Sequence, residues 1–288
     1  MCKSSHEKHK ILGQRLNQSQ GFNPKTKTGI STSVMQCRSC GLVFSNPQPV
    51  PFDIQDHYGV PPENYWRPEY FTIDENYFSC QINTTKKLSD FKQGMKALDI
   101  GAGLGKCMIS LQKAGYDAYG FEPSVPFYQN AIEKMKISPD KLKLGMIEGI
   151  DYPENNFDFI SFGAVLEHLY DPAAAIKSAM EWLKPGGLIH IEVPSSKYLI
   201  PKIFNFYFRL RGTNYVNNIS PMHTPFHLYE FAIESFEENA KTENYEIAHH
   251  EYYVCDVYFL PPITHPFLKW YMKKTNTGMQ LAVWLRKK

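Results

Sequence analysis

The sequence predicts an α/β fold, a largely parallel sheet joined by crossover helices, on three observations. From about residue 95, short apolar runs alternate with helical stretches. The first run opens into a glycine-rich loop, Asp99-Ile100-Gly101-Ala102-Gly103-Leu104-Gly105, which leads into a helix. The second run ends on an acidic residue, Glu122, about two dozen residues after the first strand.

The elements follow in order. Ala97 to Ile100 reads as a short buried strand, and Lys106 to Ala114 as a helix with Met108, Ile109 and Leu111 inward and Gly115 as its stop. Ala118 to Phe121 is the second strand, Pro126 to Met135 a helix, Leu142 to Ile147 the third strand and Phe157 to Phe162 the fourth. Asp171 as N-cap and Pro172 at the first position announce the next helix, whose inward stripe is Ile176, Ala179, Met180 and Leu183. The turn Lys184-Pro185-Gly186-Gly187 brings in a fifth strand, Leu188 to Val193. Residues 197–228 break the rhythm with aromatics, glycine and proline. They follow a strand's carboxyl end, the side on which open α/β sheets bind ligands, so this insert is expected to cover a site. A helix near Tyr229 to Lys241 and a strand near Tyr245 to Val257 resume the core. The basic, aromatic stretch Phe267 to Lys274 is assigned to the loop before the last strand rather than to a membrane-surface helix. That last strand, Met279 to Leu285, alternates with Met279, Leu281, Val283 and Leu285 on one face.

Composition excludes several classes. The 288 residues are 43% hydrophobic and 21% charged, and no run approaches the ~18 apolar residues of a membrane span. Thirty-one basic against 29 acidic side chains leave a net charge of +2, which argues against a chain that wraps nucleic acid. Six cysteines in this length are not a disulfide scaffold, and the N-terminus shows no apolar signal segment. A reduced, cytoplasmic protein is the expectation. Charge is nevertheless uneven, because residues 1–44 carry seven Lys/Arg against one Glu.

The glycine loop suits two ligand classes. A dinucleotide loop spaces its glycines G-x-G-x-x-G to seat a pyrophosphate, but here the third glycine arrives one residue early and Lys106 holds the dinucleotide position. Asp99 at the end of strand one would repel a pyrophosphate and attract an ammonium group, which favours S-adenosylmethionine. Glu122 is placed to accept hydrogen bonds from ribose hydroxyls, a role that either nucleotide class needs.

As a set these residues resemble the class I S-adenosylmethionine-dependent methyltransferases. ALDIGAGLG at 97–105 is similar to the first motif of that family and GFEPS at 120–124 to its acidic second. FDFISFGAVLEHLYDP at 157–172 resembles the fourth-strand motif, and LKPGG at 183–187 the turn before strand five. The resemblance implies a Rossmann-like, seven-stranded sheet with helices on both faces and S-adenosylmethionine as the cofactor. By position it implies that Asp99 contacts the methionine end, that Gly101, Ala102, Gly103 and Gly105 shape the loop, and that Glu122 holds the ribose. Pro123, Met146, Ile147 and Gly163 would lie near the adenosine or methionine.

Near the N-terminus, Cys37-Arg38-Ser39-Cys40-Gly41 is half of a zinc knuckle, two thiolates two residues apart followed by a turn-forming glycine. Cys2, His6 and His9 are the next candidates, and Cys2 with His6 would complete a three-cysteine, one-histidine set. CxxCGLVFSNPQP followed by a Tyr-rich stretch resembles the zinc-ribbon leader of some sugar C-methyltransferases, with Ser5 where those carry a further thiol. Unmetallated structural thiols remain the alternative; a redox pair is disfavoured because it would open a helix, and this one precedes strand-like LVF. The chain thus divides into a basic zinc-ribbon-like leader at 1–50, an aromatic, Pro-rich wrap at 51–94, and a core at 95–288 carrying the insert.

Methyl transfer is an in-line displacement, so alignment dominates and a base is needed only where the acceptor must lose a proton early. His227 and His223, just beyond the insert, are the candidate base or acceptor-orienting residues; surface or packing roles stand beside that reading. His168 is assigned to supporting the loop after strand four. Tyr65, Trp66 and Tyr70 either close over the cofactor or pack in the wrap, and Cys80, Cys107 and Cys255 are read as core thiols. The expected activity is methylation of a small-molecule acceptor, such as a nucleotide sugar, a glycan precursor or a quinone-like hydroxyl. Two alternatives remain: an RNA or protein methyltransferase using the basic leader as a binding arm, and an idle S-adenosylmethionine-binding module.

Overall fold

The computed structural model describes residues 1–16, 31–50, 66–222, 226–257 and 260–288. A sheet of seven strands occupies the centre, formed by β4 (Lys96–Ile100), β5 (Asp117–Glu122), β6 (Leu142–Leu144), β7 (Phe157–Gly163), β8 (Leu183–Pro194), β10 (Tyr245–Tyr253) and β11 (Gln280–Lys287). Its spatial order is β10-β11-β8-β7-β4-β5-β6. β4 to β8 run parallel, whereas β11 lies antiparallel between β8 and β10. The order reverses between β4 and β7, so the loops leaving their carboxyl ends diverge and open a crevice there.

Side-chain alternation along the strands feeds two cores, one on each face of the sheet. Leu98, Ile100, Ile160, Phe162, Ile189 and Ile191 pack on one face with Ile176, Ala179 and Met180 of α4 (Pro172–Trp182) and Phe236 of α6 (Ile233–Ala240). Ala97, Ala118, Phe159 and Leu188 pack on the other with Ile82 of α1 (Ser79–Leu88) and Met108 and Leu111 of α2 (Lys106–Lys113). The expected α/β sheet with helices on both faces is therefore the observed one. Asp171 caps α4 as predicted, its Oδ1 accepting from the Ala174 N–H at 3.0 Å. α3 (Val125–Glu133) links β5 to β6.

Several elements depart from the sequence reading, among them β8, which starts at Leu183 and takes in residues 184–187. β6 is only three residues long, Leu142–Leu144. The last strand is buried on both faces rather than one, since it lies inside the sheet; Trp284, on its supposed outer face, donates its indole N–H to Thr85 Oγ1 at 2.9 Å. The stretch around Phe267 is not a loop but part of α7 (His265–Thr275), held by Leu268 and Met272 against Ile200 and Ile203 of α5 (Leu199–Leu210) within the insert. Finally, Tyr229–Glu230 is a strand, β9, that precedes α6.

β9 completes a second sheet with β1 (His9–Leu16), β2 (Ser31–Cys37) and β3 (Val43–Asn46), in the order β1-β2-β3-β9. Val43 pairs with Glu230 and Phe44 with Tyr229, so the leader is stitched to the core by backbone bonds. Buried Arg15 donates to the Val216 carbonyl at 3.1 Å, and Ser235 Oγ donates to the Cys40 carbonyl at 2.8 Å. Among the described residues no helix is long and apolar enough to cross a membrane.

Candidate functional site

A cavity of about 570 Å³ opens where β4 and β7 diverge. Asp99, Gly101 and Gly103 form one wall, Ser161 and Gly163 of β7 and Glu192 of β8 another, and Tyr70, Tyr77 and Phe127 stand around it. Two glycines have separate reasons to be glycine. At Gly101, φ is +67° and a Cβ would lie 2.7 Å from Val165 Cγ2. At Gly103, φ is +55° and a Cβ would meet nothing within 4 Å, so its face is open for close approach of a ligand to backbone.

Two buried carboxylates define the electrostatics. Asp99 is 4% exposed, and its Oδ1 accepts from Ser161 Oγ at 3.0 Å. Glu122, 3% exposed, accepts from the Gly103 N–H through Oε2 and from the Ser124 N–H through Oε1, both at 2.8 Å. Burial pushes Asp99 up to about 7, against the Ser161 hydrogen bond. It does the same to Glu122, against its two backbone donors and with added repulsion from Asp99. Such a pair gains from a ligand that brings positive charge and hydroxyl donors, and would reject a pyrophosphate.

Of the residues predicted for the cofactor, Asp99, Gly101, Ala102, Gly103 and Gly163 line the cavity. Gly105 instead caps α2 and turns toward Ile137, while Glu122 reaches the cavity wall through its bond to Gly103. Pro123, Met146 and Ile147 are not among the lining residues; Met146 is exposed and Ile147 packs in the core. Sequence reading missed Tyr77, Gln81, Ser161 and Glu192, with Gln81 Nε2 donating to Glu192 Oε2 at 3.1 Å. Ser161, a lone hydroxyl within the apolar run FDFISF, was the signal available. Trp66 packs edge-on to Phe127 at 5.1 Å between ring centroids, and Tyr65 lies outside the described residues. Cys107 is buried as expected, but Cys80 is exposed on α1.

His227 sits beside the turn that follows β7, where the Leu228 N–H donates to the Glu167 carbonyl at 2.9 Å. Its ring lies 5.1 Å from that of His168, and burial lowers it to about 4, so it is neutral at physiological pH. His223 lies outside the described residues.

In the leader, the Sγ atoms of Cys2, Cys37 and Cys40 fall within 4.8 Å of one another. Cys2 and Cys37 are 3.6 Å apart, close to the ~3.8 Å between two thiolates bound tetrahedrally to one zinc. His6 is not among them; it stands exposed in the turn His6–Lys8, and Ser4 Oγ occupies the space 3.1 Å from Cys37 Sγ.

The chain is 30% identical over 133 residues to demethylmenaquinone methyltransferase of Geobacillus sp. (strain WCH70), covering 43% of this chain and 57% of that one. It is 32% identical over 117 residues to phosphoethanolamine N-methyltransferase of Triticum aestivum, covering 38% and 23% respectively. The chain thus spans little more than half of the one relative and a quarter of the other. In fold it is similar to an S-adenosylmethionine dependent methyltransferase from Mesorhizobium loti, with a TM-score of 0.52 and 14% identity over 74% of this chain and 98% of that one. Residues 75–276 match the family described as methyltransferase domain, and the chain belongs to that family.

Proposed function

We propose that the chain transfers a methyl group from S-adenosylmethionine to a small-molecule acceptor. The observation that carries this reading is the pairing of Asp99 and Glu122, two buried carboxylates on adjacent parallel strands at a glycine loop whose Gly103 face is open. S-adenosylmethionine supplies an activated methyl on a sulfonium. The chain's own residues align it: Asp99 takes the ammonium end, the Gly101–Gly103 backbone admits the ligand, and Glu122 accepts from ribose hydroxyls while it fixes the loop through the Gly103 N–H. Tyr77 and Phe127 restrict water at the cavity, which favours displacement at a charged centre. His227 positions the acceptor. The named activities of the quinone and phosphoethanolamine relatives support a small oxygen- or nitrogen-bearing acceptor.

Titration calorimetry with the demethylated product, S-adenosylhomocysteine, tests the site. The unaltered chain is expected to bind it and not NAD, and Glu122→Ala to weaken binding by ~1–3 kcal/mol, because charge-assisted acceptors are lost and the Gly103 N–H is freed. Equal affinity in the two proteins would remove Glu122 from the ribose site.

The three thiols fit a zinc ion, their donor set being the soft, compact one that zinc prefers, with the fourth position left to a ligand outside this set. Elemental analysis should find about one zinc per chain. Chelation should lower the melting temperature while the folded fraction retains its affinity for S-adenosylhomocysteine; metal-free protein of unchanged stability would refute the assignment.

A further inference from the structure

A second group of metal-type ligands stands apart from the thiols and outside the cavity lining. Glu167, His168 and His227 each offer one ligand atom, all within 4.8 Å of one another. Glu167 Oε1 is 3.9 Å from Nε2 of His168 and 3.9 Å from Nε2 of His227. Those separations are too long for hydrogen bonds, yet two atoms each ~2.1 Å from a shared ion stand at most ~4.2 Å apart. Both Glu167 separations fall within that limit.

Two independent features point to a cation. Glu167 is only 1% exposed, and among the described residues its Oε2 has no hydrogen-bond partner. A buried carboxylate oxygen left in that condition is costly, and a bound cation removes the cost. His168 also has Nδ1 3.2 Å from the Phe226 carbonyl. Donation of the Nδ1–H to that oxygen leaves the lone pair on Nε2, the atom nearest Glu167, which is how metal-bound imidazoles are commonly oriented. The Leu228 N–H to Glu167 carbonyl bond holds the His227 segment in place beside it.

We propose that Glu167, His168 and His227 bind one divalent transition-metal ion. Two imidazoles and one carboxylate suit manganese, iron, cobalt or zinc better than magnesium or calcium, which prefer all-oxygen sites. Three protein ligands leave coordination positions open. Gly163 and Ala164, four and three residues before Glu167, wall the cavity, so the cluster adjoins it along the chain. On the methyl-transfer reading, the ion's task is to hold two neighbouring oxygens of an acceptor; binding of the ion itself does not depend on that reading.

The test uses the full chain as purified, titrated with Co²⁺. The expected result is one equivalent with d–d absorption and no sulfur charge-transfer band, which separates this site from the thiols. Glu167→Gln and His227→Ala should each weaken Co²⁺ binding by at least ~10–100-fold, with circular dichroism and S-adenosylhomocysteine affinity unchanged. Should the variants misfold, pulsed electron paramagnetic resonance of Mn²⁺ in the unaltered chain decides, because imidazole ligands give nitrogen couplings. Cobalt found only in a thiolate-type environment, variants that bind as the unaltered chain does, or Mn²⁺ without nitrogen couplings would overturn the proposal. Failure to bind S-adenosylhomocysteine would instead overturn the methyl-transfer reading and leave the metal result standing.

Discussion

Replacing His227 by alanine is expected to lower turnover by ~10²–10⁴-fold while leaving affinity for S-adenosylhomocysteine unchanged. The separation follows from placement. His227 is fixed beside the turn after β7, whereas Asp99 and Glu122, the groups proposed to hold the ligand, lie at the ends of β4 and β5. A neutral imidazole with Nε2 3.9 Å from Glu167 is suited to hold an acceptor in line, directly or through an ion, and alignment is the main contribution a methyl-transferring protein makes. The assay follows release of S-adenosylhomocysteine with an acceptor that the unaltered chain methylates. A loss in kcat marks a role in the transition state; a rise in KM alone marks simple binding of the acceptor. Full activity in the variant would show that His227 serves neither purpose.

Asp99→Asn is expected to weaken S-adenosylhomocysteine binding by ~10–100-fold and at the same time to stabilise the ligand-free fold at pH 8. The Asp99 carboxyl has a pKa of about 7 in the folded chain against an ordinary value of 3.8. Between those values the folded chain holds more protons than the unfolded one, so stability falls as pH rises through the window and levels off above about 7. Asparagine keeps an acceptor for the Ser161 hydroxyl without the buried charge. The variant should therefore exceed the unaltered protein by roughly 4 kcal/mol at pH 8, with the gap closing near pH 4. Denaturant melts at the two pH values measure it. A gap independent of pH would show that burial does not burden this carboxylate.

The parts legible in the sequence were those written in contiguous residues. The spacing of Asp99, Gly101, Gly103 and Gly105 encodes a strand, a tight turn and a helix start within seven positions, and Asp171-Pro172 encodes a helix start within two. What was not legible depends on distant partners. Tyr229–Glu230 is a strand only because β3 supplies the other half of the ladder, and two residues alone carry no periodicity. The amphipathic character of FLKWYMKK becomes a helix through the face that α5 offers to Leu268 and Met272. Glu167 lies within FDFISFGAVLEHLYDP, and nothing local announces that its carboxylate is buried between two imidazoles from segments about sixty residues apart. In the leader, C-x-x-C was readable, but the turn at His6–Lys8 sets His6 apart from the thiols, which spacing alone did not reveal.

The pairing of β3 with β9 imposes an order on how the chain matures. Val43 leaves the ribosome about 190 residues before Glu230, which at ~5–20 residues per second is a wait of roughly 10–40 s. Throughout that interval β3 has an unpaired edge, and Cys40 lacks the Ser235 hydroxyl that later bonds to its carbonyl. Early capture of a metal ion by the thiols would shelter this segment from oxidation and from pairing with a neighbouring nascent chain. Cells short of zinc during synthesis should accumulate aggregated chain, while protein already folded withstands the same shortage for longer.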